Sequence, residues 1–293
     1  MKQVLKLWLI LFLMFSIQGL FAQNNHHVPS KERGDPKYRR KAQLEGNNVR
    51  TTIFNFGHTG RTGAVPIYEE TPYEWPKNTG EVYLAQTTIW WGAEVKDING
   101  ERQRIVIVDN GRTSDQGKSW NIEPCPGYFA PGSNSIANSV DPSTWPPFWP
   151  DKMNIAPGSG AKPGWPGSWN GYFGRDKFNA DQEIFYRASD DRYDNYLYFP
   201  DSTDLTRHGL GILMDVRAMA WSQILVSDVV YLLHFLTNDG TQDLNKFAVT
   251  LGVADFVGGD GDSQDDISEY DLLNDIMWSR DADNKAPTFG KDP

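Results

Sequence analysis

Short runs rich in β-branched and aromatic residues, broken by glycine, proline and asparagine, make up most of this chain. In such runs successive side chains point to opposite faces, which is the pattern of strands. Strands are predicted at Val49–Phe56, Val82–Ala85, Thr87–Lys96, Arg102–Val108, Glu183–Ala188, Gly209–Trp221, Ser227–Thr237 and Leu244–Phe256. Asn99-Gly100 is the pair that a tight primed hairpin turn favours, and Asn238-Asp239-Gly240 marks a second turn. Trp90 and Trp91, adjacent on a strand, must face opposite ways. Val229, Tyr231, Leu233 and Phe235 alternate with Val230, Leu232, His234 and Leu236, so that strand is apolar on both faces and reads as central. Helical patterning is weak, and Leu272–Trp278 is the one stretch read as a helical turn or two. The elements together predict a mainly β chain, an antiparallel β-sandwich.

The first residues have a different pattern. Lys2 and Lys6 precede an unbroken apolar run, Leu7 to Phe15, and Ala22-Gln23 offers a small residue before a polar start. This is the layout of an export signal over residues 1–22. The run is well short of the roughly 20 apolar residues a spanning helix needs, and no later segment reads as a membrane span. Residues 23–48 are polar and basic and read as a flexible lead-in to a β-rich domain over 49–293. That is length enough for a substantial core. The formal net charge of −10 is unevenly placed, with 22 acidic and 8 basic side chains from Asp181 onward. An acidic half repels nucleic acid and attracts cations. Cys125 is the only cysteine, which excludes an intramolecular disulfide and reads as a buried thiol.

Residues 124–174 change character again. Pro142, Pro146, Pro147, Pro150, Pro157, Pro163 and Pro166 exclude helix and central strand, while Trp145, Trp149, Trp165 and Trp169 exclude a plain linker. The segment reads as a long ordered loop packed by its own tryptophans. Trp165, Trp169 and Tyr172 are the candidates for stacking on sugar rings, with a local mini-core as the alternative reading. Gly57–Gly63 lacks the Gly-Lys-Ser/Thr ending of a phosphate loop and reads as a turn. The five histidines show no zinc-ligand spacing, His234 reading as a packed core residue, and no nucleophile elbow appears.

The strongest chemical signal lies in the acidic region 255–283, which holds ten acidic residues and one basic one, Arg280. Asp260, Asp262, Gln264, Asp266 and Asp271 fall where the oxygen ligands of a twelve-residue Ca²⁺ loop would stand. Asp265 occupies the place that such a loop reserves for glycine, and the lead-in is strand rather than helix. A one-loop calcium site of other geometry, or a solvated acidic turn, therefore describes the stretch better. Asp283, beyond Asp281, joins the group by proximity. Asp190, Asp191, Asp194, Asp201 and Asp204 form a second acidic group, read either as self-capping turns or as carboxylates for calcium or glycoside hydrolysis.

Tyr73–Val95 (YEWPKNTGEVYLAQTTIWWGAEV), Ser227–Leu244 (SDVVYLLHFLTNDGTQDL) and Val253–Asp266 (VADFVGGDGDSQDD) look like segments of large exported proteins of Bacteroidota-type bacteria. Such proteins usually end in a type IX secretion sorting domain and are surface-bound or released. The resemblance implies type IX export and transfers no catalytic residue. The sequence ends at Lys291-Asp292-Pro293 with no sorting domain, and so reads as a fragment of a longer reading frame. The expectation is a non-enzymatic exported cell-surface module, stabilised by Ca²⁺, with a surface glycan or protein as partner. A glycan-binding or glycan-degrading protein is the alternative.

Overall fold

The computed structural model describes residues 33–63, 69–109, 121–153, 164–194, 196–259 and 262–283. The signal segment, His26, His27 and Asp260 lie outside the described residues. In chain order the strands are β1 (Lys41–Leu44), β2 (Thr51–Phe54), β3 (His58–Gly60), β4 (Tyr73–Glu74), β5 (Val82–Lys96), β6 (Arg102–Ile107), β7 (Glu123–Pro124), β8 (Ala137–Asn138), β9 (Asn170–Gly171), β10 (Gly174–Arg175), β11 (Gln182–Ser189), β12 (Ile212–Ala220), β13 (Val230–Asn238), β14 (Ala248–Asp255), β15 (Ile267–Asp271) and β16 (Ile276–Arg280).

The expected mainly β, sandwich-like architecture is what the chain adopts. Sheet one runs β1-β2-β3-β5-β14, with β4 and β6 also on β5; sheet two runs β13-β12-β11-β7, with β8 also on β11. β5 is long enough to hold β4, β3 and β6 in succession along one edge and β14 along the other. Alternation then sorts the side chains. Ile89, Trp91, Ala93 and Val95 of β5 pack against Ile184, Tyr186 and Ala188 of β11 and Ile212, Met214, Val216 and Ala218 of β12, all buried. Trp91 is inside and Trp90 on the other face, its indole N–H donating to Asp109 at 3.0 Å.

The outer face of sheet two is covered by the proline- and tryptophan-rich segment. Trp149 and Trp169 pack with Cys125, Tyr128, Phe185 and Leu213 in a second buried cluster. Prolines 142 and 150 open single 3-10 turns, where the missing N–H costs nothing. The molecule is thus three layers deep over sheet two: sheet, sheet, aromatic loop.

Five expectations need correction. The chain is built into sheet one from Lys41, earlier than a lead-in to residue 48 allows, because Ala42 and Leu44 face the core. Within Gly57–Gly63, His58–Gly60 is strand: Gly57 (φ +84°) turns the chain and β3 pairs with β5. The turn at Asn99-Gly100 is not the tight primed type. Asp97 pairs with Glu101, Gly100 alone has positive φ, and the Asp97 side chain caps the loop. β13 lies at the edge of sheet two rather than at its centre, and β14 belongs to sheet one, so the turn at Asn238–Gly240 carries the chain between sheets. β13 is apolar on both faces because one faces the core and the other meets the aromatic loop, Tyr172 stacking on Phe235 at 6.1 Å. Finally, Leu272–Trp278 forms the turn and second strand of the β15–β16 hairpin, with Asp275 in the left-handed region (φ +53°).

Candidate metal centre

β14 ends in a register shift at Ala254/Asp255, and the chain turns at once through Gly258 and Gly259, with φ of +78° and +83°. The turn needs glycine for space as well as conformation, since a Cβ on Gly258 would collide with the Asp262 carboxylate folded over it. Asp266 Oδ2 accepts the Val257 N–H at 3.0 Å, and Asp255 Oδ2 accepts the Ser268 hydroxyl at 2.5 Å. These contacts tie the start of β15 to the end of β14. β16 then returns antiparallel to β15 and delivers Asp281 to the same place.

Three carboxylates converge there: one oxygen each of Asp265, Asp281 and Asp283 lie within 4.8 Å of one another. Two ligands on opposite sides of Ca²⁺, each at about 2.3–2.6 Å, stand about that far apart. Asp281 is 5% exposed, and its Oδ1 accepts the Asp283 N–H at 2.9 Å. Among the described residues nothing hydrogen-bonds its buried Oδ2 or the Oδ1 of Asp266. An ionised oxygen taken from water without a donor or counter-ion is costly. Burial raises the Asp266 carboxyl above its ordinary range, and the neighbouring charges of Asp255, Asp265 and Asp281 push it the same way against the Val257 N–H. The donors are hard oxygens throughout, the set that Ca²⁺ takes.

The predicted ligands fare unequally. Asp262 and Asp266 are in this acidic knot, Gln264 is exposed beside it, and Asp260 lies outside the described residues. Asp271 is not brought to the others. It closes β15 at the opposite end of the hairpin, where Oδ1 accepts the N–H groups of Leu273 and Asn274 and Oδ2 the Asn274 amide. These bonds depress its carboxyl pKa. A five-residue strand spans about 16 Å, too far to close a one-ion loop. The hairpin replaces Asp271 with Asp281 and Asp283.

The aromatic candidates also separate. Trp169 is fully buried, its indole N–H on Glu183 at 3.0 Å, so it cannot stack on a sugar; it belongs to the mini-core. Trp165 is half-buried, with the Lys152 ammonium 5.2 Å from its ring centroid. Tyr172 is 43% exposed and lies edge-on to exposed Phe173.

The second acidic group is a compensated network. Arg207, buried, meets Asp191 at 2.9 Å, Asp239 at 3.1 Å and Asp201 at 3.6 Å; Arg33 meets Asp191 at 3.3 Å and Asp204. Asp190 accepts N–H groups from Trp91, Leu210 and Ile212, and so bridges the two sheets. Burial, then the charge of Asp191, push its carboxyl up to about 7. Cys125 is buried, which pushes its thiol up to about 12. No described helix is long and apolar enough to cross a membrane. Comparison with protein-family models, curated proteins and solved structures found no match.

Proposed function

We propose that this chain is a non-enzymatic, exported β-sandwich module of a cell-surface protein, stabilised by Ca²⁺ at the Asp255–Asp283 knot. The observation that carries the metal reading is the buried, unpartnered Oδ2 of Asp281, set among the carboxylates of Asp265 and Asp283. Asp265, Asp281 and Asp283 would hold the ion, with Asp262 and Asp266 beside them. A bound Ca²⁺ neutralises the mutual repulsion and fastens the β15–β16 hairpin to the end of β14. Export rests on the Lys2–Ala22 segment, and the type IX route on the resemblance alone. A cell-surface glycan or protein is the partner class that this reading implies.

The test is calorimetric titration of the chelated mature chain with CaCl₂. Heat of binding in the wild type, lost in Asp281→Asn, supports the reading; titration of the wild type without heat overturns it.

A further inference from the structure

β13 ends sheet two, and among the described residues its backbone pairs with β12 alone. That pairing keeps one register over all nine residues, so no bulge twists the free edge away. Soluble proteins usually guard such an edge with lysine, proline or a bulge. The sequence VYLLHFLTN carries no proline and no acidic, lysine or arginine side chain.

Both faces beside this edge are apolar and only partly covered. On the outer face Tyr231 and Phe235 are exposed, with Tyr172 stacked on Phe235 and Phe173 edge-on to Tyr172. On the inner face Val230, Leu232 and Leu236 are half-buried. At the edge of sheet one, Val249 and Leu251 of β14 share the face of their partners Trp91 and Ile89, which are in the core, yet they are 50% and 59% exposed. The edge strands of both sheets therefore leave large apolar side chains exposed. Within this sequence, the mature segments outside the described residues are short and rich in Gly, Pro or charge, and none has a strand's length of alternating apolar residues.

We infer that β13 is a homotypic docking edge, through which two copies of this chain pair antiparallel and continue sheet two across a twofold axis at His234. The strand is self-complementary in that register. Leu232 meets Leu236 of the second copy on the inner face, Leu233 meets Phe235 on the outer, and Tyr231 meets Thr237. The flanking acids do not oppose each other, since Asp228 falls opposite Gly240 and Asp239 opposite Val229. A twofold interface requires this matching of a patch with itself. The four exposed rings alone offer on the order of 400 Å² per copy. That is half of the roughly 800 Å² that a standard interface buries on each partner, before the strand and its inner leucines are added. β14 is the poorer edge, because Gly252 and the shift at Ala254/Asp255 interrupt it.

Sedimentation of the mature chain tests this, with two variants. The wild type is expected as a dimer, and Phe235→Lys as a monomer with wild-type melting. His234→Cys is expected to form a disulfide-linked dimer, since residues opposed across an antiparallel pair stand about 4.5–5.5 Å apart, within disulfide reach. Leu251→Cys on β14 is expected not to cross-link. A monomeric wild type, a dimer indifferent to Phe235→Lys, absent cross-linking at position 234, cross-linking through Leu251→Cys, or open-ended association each overturns it.

Discussion

Two acidic clusters in this molecule solve the same electrostatic problem in opposite ways. Around Asp191, Asp201, Asp204 and Asp239 the counter-charges are built in, as Arg33 and Arg207. Around Asp255–Asp283, among the described residues, they are not. Arg280, the basic residue of that region, reaches the Asp281 backbone carbonyl at 3.5 Å rather than a carboxylate. Carboxylates can crowd under a fold only with a counter-ion, abundant water or protonation. The first cluster is closed by protein alone, while the second, among the described residues, leaves a buried oxygen of Asp281 and one of Asp266 without a donor. Cation dependence should therefore belong to the second cluster alone.

The largest expected effect breaks the self-contained side. Arg207→Ala strands three buried aspartates and should cost about 3–5 kcal/mol by denaturant melting, with or without calcium. Next is a pH effect on the same side. The folded-state pKa of Asp190, about 7, lies above its ordinary value of 3.8. Below that ordinary value both states are protonated and nothing changes. As pH rises from there through 7 the folded state holds the extra proton, so stability falls, by on the order of 4 kcal/mol. Asp190→Asn should flatten this slope in melts between pH 4 and 8. On the cation side, Asp281→Asn should cost about 1–3 kcal/mol in calcium, yet be neutral or stabilising in chelator, where it removes repulsion. That reversal of sign distinguishes a ligand from a structural aspartate. The smallest effect is at Asp271→Asn, which should leave calcium affinity unchanged, whereas a twelve-residue loop closed by Asp271 would lose it.

Strands were legible wherever alternation was strong, and β5, β6, β11 and β12 fall within a few residues of expectation. Their partners were not, since nothing local in Asn238-Asp239-Gly240 tells a hairpin from a crossing between sheets. The two-faced apolarity of β13 misled because a covering loop and an open edge mimic central burial. At the candidate metal centre, linear spacing pointed to Asp262 and Asp266, which lie in the acidic knot, but took Asp271 as the closing ligand. The hairpin turn at Leu272–Asp275 brings Asp281 and Asp283 back instead, and the one signal for it was Asp-x-Asp shortly after the apolar run Ile276–Trp278. The tryptophans of 124–174 announced a packed loop, but which were buried depended on Glu183 and Phe185 beneath them.

The most direct test of the contrast is thermal melting of the chelated chain over residues 23–293 with and without saturating CaCl₂, beside Asp281→Asn. At a hundredfold excess over the dissociation constant, binding adds about 2.7 kcal/mol, a rise of roughly 5–10 °C for a domain of this size. The account predicts that rise in the wild type and its loss in Asp281→Asn. An unchanged wild-type melting temperature, or an equal rise in the variant, would contradict it.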